Sequence, residues 1–135
     1  TSPTLTAVSK DGVGLQKAMH MALADMSLPK KEVDVIVCHS PGTIRGDQSE
    51  WRAIHSVFGK NMPSLASNKW KLGHTLGASG GLSLELALLM LKHQRMIPIP
   101  YLKTMKQQAN RSIRNVMVNA QGFGGNAVSI IVGKG

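Results

Sequence analysis

The chain has 135 residues, of which 16 are Lys or Arg and 7 are Asp or Glu, so its formal net charge is +9. With 42% hydrophobic and 17% charged residues it is too apolar for a disordered basic tail, and no apolar run approaches the roughly 20 residues of a membrane span. A lone cysteine, Cys38, excludes an internal disulfide, and the scattered His residues give no zinc spacing. We therefore expect residues 1–135 to form one soluble domain in a reducing, cytoplasmic compartment, without a bound metal.

Helical and strand patterns alternate over the first part of the sequence. The predicted elements are helices at 14–26 and 47–58, strands at 33–38 and 64–67, and a Gly-containing turn at 69–73. The strand at 33–38 is β-branched and almost wholly apolar, which is typical of a buried parallel strand. Asp47 is the predicted N-cap of the second helix.

The most unusual segment is the helix predicted at 77–92, which is apolar on nearly every face and has Glu85 as its lone acid. Such a helix should be surrounded by protein, so we expect another part of the molecule or an oligomer partner to cover it. Strands are predicted at 115–120 and 127–132, and their Gly-rich connection favours a hairpin or a tight functional loop. The alternation of elements predicts an α/β fold with a mostly parallel or mixed sheet.

No acidic residue follows Glu85, whereas seven basic residues do. These are Lys92, Arg95, Lys103, Lys106, Arg111, Arg114 and Lys134. The stretch is either a solvated surface or a surface for an acidic partner. A nucleic-acid-binding module is a remote alternative, because the chain has few aromatic residues on which bases could stack.

Chemically capable residues follow the predicted buried strands. His39 comes directly after the first strand, at the end where open α/β sheets bind ligands, although it could merely cap the next loop. His74 precedes a small-residue cluster near a helix N-terminus, and that cluster could reflect only tight helix packing. The amides of the loop 122–125 could form an oxyanion hole.

Three motifs together resemble a known family. They are His39…Gly42-Thr43…Gly46-Asp47…Glu50, then Lys69…Gly73-His74…Gly77-Ala78…Gly80, and finally Gly122-Phe123-Gly124-Gly125. In order and spacing they are similar to the C-terminal half of the β-ketoacyl-acyl-carrier-protein synthases, the condensing enzymes of fatty-acid and polyketide synthesis. The resemblance implies the C-terminal half of a thiolase-like fold, with helices on both faces of a mixed sheet. It also implies a dimer, in which the apolar helix lies in a central layer between two sheets.

The resemblance assigns roles to individual residues. His39 and His74 match the two histidines that assist decarboxylation and stabilise the enolate, Lys69 matches the family lysine, and Glu50 matches the acid that pairs with it. Phe123, flanked by Gly122 and Gly124, matches the gating residue whose amide completes the oxyanion hole, and Thr43 matches a threonine that binds the pantetheine arm. Ser40 and Pro41 stand where the family usually has Gly and Thr, which predicts a reduced pantetheine contact.

The nucleophilic cysteine of the family lies in the N-terminal half, and nothing in this chain matches that half. Cys38 is expected to be a small core residue, because strand alternation directs it away from the face of His39. The resemblance thus implies an acyltransferase that is inactive without its N-terminal half.

The implied partners are that N-terminal half and an acidic acyl carrier protein, whose phosphopantetheine arm carries the substrate, with no other bound cofactor. On this interpretation the acid-free stretch after Glu85 is a surface for the carrier protein. The alternative is a non-catalytic, chain-length-factor type subunit that pairs with an active partner, against which His39, Lys69 and His74 argue.

Overall fold

The computed structural model describes residues 11–40, 42–97, 112–122 and 126–134. The helices are α1 (Val13–Asp25), α2 (Ile44–Phe58), α3 (Lys69–Leu72) and α4 (Ser79–His93), and the strands are β1 (Val35–Val37), β2 (Ser64–Ala66), β3 (Asn115–Gln121) and β4 (Ala127–Gly133). Short 3₁₀ turns occur at Lys30–Glu32 and Leu76–Ala78. Every predicted helix and strand is present, and the predicted turn at 69–73 is the one-turn helix α3.

The four strands form one mixed sheet in the order β2-β1-β3-β4. β1 pairs in parallel with β2 and β3, whereas β3 and β4 are antiparallel, as in the hairpin that was one of the two predicted alternatives. The carboxyl ends of the three parallel strands therefore meet at one edge of the sheet, here called the carboxyl edge, and the opposite edge is called the amino edge. Ligands of open α/β sheets bind at the carboxyl edge.

Helices cover both faces of the sheet, as predicted. On one face, α1 and α2 pack against alternate strand residues that include Ile36, Met117 and Ile131. On the other face, α4 packs against the intervening residues, among them Val37 and Val118. Successive strand residues point to opposite faces, so a three-residue strand such as β1 can serve two cores.

Cys38 belongs to the core between the sheet and the helices α1 and α2. Its thiol is buried, and desolvation raises the pKa of Cys38 well above its ordinary value. A thiol held in its neutral form among apolar side chains is a poor nucleophile. The structure thus agrees with a packing role for Cys38.

Helices α1 and α2 meet at Gly12, which has a positive φ of 59° and stands at the N-cap of α1. A Cβ added there would lie 2.8 Å from the Cβ of Ala53 and 2.8 Å from the carbonyl oxygen of Ser49. Glycine is therefore required at this position by both the backbone conformation and the close approach of α2.

Helix α2 begins three residues earlier than predicted, and its N-cap is Thr43 rather than Asp47. Thr43 has an extended backbone, and its hydroxyl accepts a hydrogen bond from the N–H of Gly46 at 3.2 Å. The Asp47 carboxylate instead accepts from the N–H of Gly42 at 3.1 Å. Both residue types suit an N-cap, and only the extended conformation of Thr43 decides between them.

The α4 side of the sheet carries large apolar side chains that the described residues leave uncovered. Leu88 and Leu89 on α4 are 52% and 45% exposed, and Val128 and Ile130 on β4 are also exposed. We call these four residues the α4 face. None of the helices within the described ranges is long and apolar enough to cross a membrane.

Candidate active site at the carboxyl edge of the sheet

Three predicted site residues meet at the carboxyl edge. His39 follows β1, and Lys69 begins α3 just after β2. The Lys69 ammonium lies 3.1 Å from Nδ1 of His39 and also donates to the His39 carbonyl oxygen. The rings of His39 and His74 pack edge to face, with their centroids 5.3 Å apart. The structure thus brings two histidines and a lysine into one cluster.

Glu50 holds the loop that carries His39. This residue lies on α2 and is buried, and its two carboxylate oxygens accept hydrogen bonds from the backbone N–H groups of His39 at 2.8 Å and Ser40 at 2.7 Å. Burial raises the pKa of Glu50, whereas these two hydrogen bonds and the Lys69 charge act to lower it. Because backbone N–H groups bind both of its carboxylate oxygens, Glu50 fixes the start of the loop. Glu50 and Lys69 interact through their charges.

His39 is held in its neutral form. Desolvation, followed by the charges of Lys69 and His74, lowers the pKa of His39 to about 4. A neutral imidazole whose Nδ1 faces an ammonium accepts a hydrogen bond there, so its own proton is on Nε2. Lys69 therefore sets the tautomer of His39 and leaves Nε2–H as a donor.

Lys69 is itself partly desolvated. Burial lowers the pKa of Lys69, and the negative charge of Glu50 opposes that shift. A cation at a site of reduced solvation attracts a nearby anion more strongly than the same cation in water. The cluster therefore combines a neutral hydrogen-bond donor with a positive charge, which suits an enolate or an oxyanion.

The remaining predicted site residues are only partly described. Phe123 and Gly124 lie outside the described residues. Gly122 directly follows β3 at the carboxyl edge, and its N–H donates to the Asn126 carbonyl at 2.9 Å, so this amide is used in joining β3 to β4. Thr43 caps α2, and its pantetheine contact stays a prediction. The described residues contain no group of three His, Cys, Asp or Glu that could hold a metal ion.

Sequence reasoning gave Asp47 no part in positioning the His39 loop. Its carboxylate binds the N–H of Gly42, so Asp47 and Glu50, three residues apart on α2, hold both ends of that loop. The spacing was the available signal, because two acids at i and i+3 on a helix share a face.

The described part of the basic stretch lies at the amino edge. Arg114 precedes β3, where its N–H donates to the Asp34 carboxylate at 2.8 Å, and Lys134 follows β4 and donates its N–H to the Arg114 carbonyl. Lys92 is in the last turn of α4, and Arg95 lies two residues after that helix. The other basic residues of the stretch, Lys103, Lys106 and Arg111, are outside the described residues. The described basic residues of the stretch thus lie at the edge opposite the site, and their assignment to a carrier-protein surface stays a prediction.

Residues 2–103 match the family described as "Beta-ketoacyl synthase, C-terminal domain". The chain belongs to this family. It is 32% identical to 3-oxoacyl-[acyl-carrier-protein] synthase 1 of Haemophilus influenzae, with 97% of this chain and 34% of that protein covered. It is 31% identical to the Escherichia coli K12 protein of the same name, with 99% and 35% covered. The chain therefore spans about a third of the length of these curated relatives.

Solved ketosynthase structures share the fold. The structure of the ishigamide ketosynthase/chain length factor matches with a TM-score of 0.86 and 26% identity, and the match covers 98% of this chain and 35% of that one. The ketosynthase ApeO in complex with its chain length factor ApeC from Xenorhabdus doucetiae matches with a TM-score of 0.83 and 29% identity, covering 98% and 36%. These matches confirm the predicted C-terminal half of a thiolase-like α/β fold.

Proposed function

We propose that this chain is the C-terminal domain of a 3-oxoacyl-[acyl-carrier-protein] synthase that makes fatty acids or polyketides. An N-terminal half supplies the nucleophilic cysteine, and residues 1–135 supply the decarboxylation half of the site. Two relatives of about 31–32% identity carry that enzyme name, and the chain matches only about a third of their length. The complete enzyme is a cytoplasmic homodimer that acts on thioesters of the phosphopantetheine arm and needs no other cofactor.

In the proposed reaction, the acyl chain is a thioester of the N-terminal cysteine. The C–C bond to the malonyl carboxylate breaks, CO₂ leaves, and the electron pair forms an enolate of the carrier-bound thioester. The enolate carbon then attacks the acyl carbonyl, the C–S bond to the cysteine breaks, and the thiolate takes up one proton. The products are CO₂, the 3-oxoacyl carrier protein and the free thiol.

The contact between Lys69 and Nδ1 of His39 is the observation that carries this proposal. It leaves the Nε2–H of His39 available to bind the enolate oxygen, with His74 as the second donor. Glu50 fixes His39 through the backbone. A subunit that only shapes chain length has no need of this buried arrangement, since burying charged groups costs free energy, so we favour the enzyme over the non-catalytic alternative.

The proposal also accounts for the α4 face. Leu88 and Leu89 are exposed in this chain, as expected if the N-terminal half of the enzyme packs against α4. The isolated chain should therefore form no acyl thioester, and it should associate or dissolve poorly because large exposed apolar patches promote contact.

The test uses the full reading frame that contains this chain and measures CO₂ release from malonyl carrier protein. His74→Ala should reduce decarboxylation about a hundredfold or more, because a positioned hydrogen-bonding group contributes that much. The matched control is Met21→Ala, at an exposed position on α1, which should leave the rate unchanged. An inactive wild-type protein, or undiminished activity of the His74 variant, would contradict the proposed roles.

A further inference from the structure

Helix α2 carries an exposed apolar and aromatic stripe. Ile44, Gln48, Trp51 and His55 are all exposed, and their spacing of four, three and four residues places them on one side of the helix. Ile44 is 79% exposed and Trp51 is 43% exposed. The rings of Trp51 and His55 are stacked, with their centroids 5.1 Å apart and their planes 17° from parallel. We call these four residues the α2 stripe.

The charges beside the α2 stripe are positive. Arg45 and Arg52 are exposed on α2, whereas both acids of the helix are turned inward. Asp47 is half-buried and binds the Gly42 N–H, and Glu50 is buried and binds the His39 loop. An apolar surface with cations and no exposed acid along the helix suits a partner that presents both apolar and acidic side chains.

The α2 stripe begins at the site. Ile44 directly follows Thr43, and α2 starts five residues after His39. Because an α-helix rises 1.5 Å per residue, Trp51 lies about 10 Å along the helix from Ile44. The stripe thus runs outward from the loop that carries the first site histidine.

The α2 stripe also lies on the opposite side of the sheet from the α4 face. Helix α2 packs on the sheet with α1, whereas α4 packs on the other face. Protein that covers Leu88 and Leu89 would therefore leave the stripe accessible. The basic residues of the amino edge are a poorer docking surface, because the seven residues of β3 separate the two edges by about 23 Å.

We propose that the α2 stripe is the docking surface for the acidic carrier protein, with Ile44 and Trp51 as apolar anchors and Arg45 as the partner of a carboxylate. This inference rests on the proposed function, because it assumes that the carrier protein delivers the malonyl group. It adds to that function a specific surface, which the two histidines and Lys69 do not themselves define.

The experiment compares two substrates of the full-length enzyme, malonyl carrier protein and a malonyl thioester of a short pantetheine mimic. Trp51→Ala and Arg45→Glu should each raise the KM for malonyl carrier protein about fivefold or more and leave kcat nearly unchanged. The KM for the short thioester should stay within about twofold of wild type, since no carrier protein docks with it. Trp70→Ala is the matched control, because Trp70 is an equally exposed tryptophan on α3, outside the stripe.

Each outcome bears on the docking surface. A rise in KM confined to the carrier-bound substrate, together with a weaker salt dependence of KM in Arg45→Glu, supports it. Unchanged KM for both substrates overturns it and leaves the proposed function intact. Equal increases in KM for both substrates, or a change of oligomeric state, overturn it. Either result would indicate that the stripe contacts another part of the enzyme. If the wild-type protein uses neither substrate, the proposed function itself fails.

Discussion

Two carboxylates at opposite ends of β1 make similar hydrogen bonds in different surroundings. At the amino edge, one oxygen of the half-buried Asp34 accepts from the N–H groups of Arg114 and Asn115, at 2.8 and 3.0 Å. At the carboxyl edge, the buried Glu50 accepts from the N–H groups of His39 and Ser40. At the carboxyl edge, burial lowers the pKa values of His39 and Lys69 and raises that of Glu50.

The difference shows what burial adds to the same hydrogen-bonding pattern. At the amino edge, water can replace a lost hydrogen bond, so losing one of the Asp34 bonds that align the start of β3 costs little free energy. At the carboxyl edge, an unmatched polar group would stay unsatisfied, and charges act on one another through a less polar medium. One arrangement joins strands, whereas the other holds a histidine neutral beside a cation.

The largest effect is expected when each carboxylate is replaced by its amide. Glu50→Gln should lower the free energy of unfolding by about 1–3 kcal/mol, because the amide NH₂ faces a buried N–H donor and leaves it unsatisfied. Asp34→Asn should cost about 0.5–1 kcal/mol, because a single amide oxygen can still accept both bonds and the site is partly hydrated. Urea denaturation measures both values. Equal costs would show that burial does not distinguish the two carboxylates.

The second prediction concerns the tautomer and charge of His39. Lys69→Met should raise the pKa of His39 above its value of about 4, because a neighbouring positive charge is lost. The pKa should stay below 6.5, since burial is the larger cause of the shift. Titration of the histidine ring protons by NMR measures it, and Lys71→Met, a neighbouring lysine that lies over the Trp70 ring, is the control. An unchanged pKa of His39 in Lys69→Met would contradict the role of Lys69 in keeping His39 neutral.

Sequence patterns predicted the fold well where local signals agree. The apolar run at β1 allows few alternatives and forms the expected strand, and the strands predicted on either side of the Gly-rich connection form as β3 and β4. The start of α2 was wrong because Thr43 and Asp47 are both good N-cap residues. The choice between them depends on where the extended chain turns into the helix, and the structure places that change at Thr43.

The site was predictable only in part. The strand order places residues that follow β1 and β2 at one edge, so the meeting of His39 and Lys69 follows from position. The hydrogen bonds of the Glu50 carboxylate could not be predicted from strand order, because they depend on the path of the loop after β1. The position of the basic residues depends on long-range contacts, such as the hydrogen bonds of the Gln94 side chain with both backbone groups of Ile113, that no local pattern encodes.

The third prediction is a pH dependence of stability. The pKa of His39 is about 4 in the folded protein and about 6.5 when unfolded, so between these values the unfolded state binds more protons. The His39 contribution to stability should therefore fall as the pH is lowered from 6.5 to 4. Glu50 contributes with the opposite sign, because its pKa is raised on folding, so its favourable contribution is lost as the pH rises.

The contribution of His39 to the pH dependence of stability is obtained by comparing the wild type with His39→Asn. Urea midpoints of the wild type and of His39→Asn, measured from pH 7 to pH 4, share the Glu50 contribution, and the wild type should show the steeper loss at low pH. His55→Asn, which replaces an exposed histidine of α2, is the control for a histidine replacement elsewhere in the chain. Parallel curves for the wild type and His39→Asn would mean that His39 is not held neutral by folding.

The smallest expected effect tests whether the carboxyl edge depends on the helix cap as well as on Glu50. Thr43→Ala removes the oxygen that accepts from the Gly46 N–H and should lower the free energy of unfolding by about 1 kcal/mol. Thr43→Ser retains the oxygen and should restore most of that loss. Since the capping oxygen only accepts, its O–H can still donate to a pantetheine arm, so the serine variant should also keep the KM for malonyl carrier protein. A serine variant as unstable as the alanine variant would show that the threonine methyl group, and not the cap, orders this end of α2.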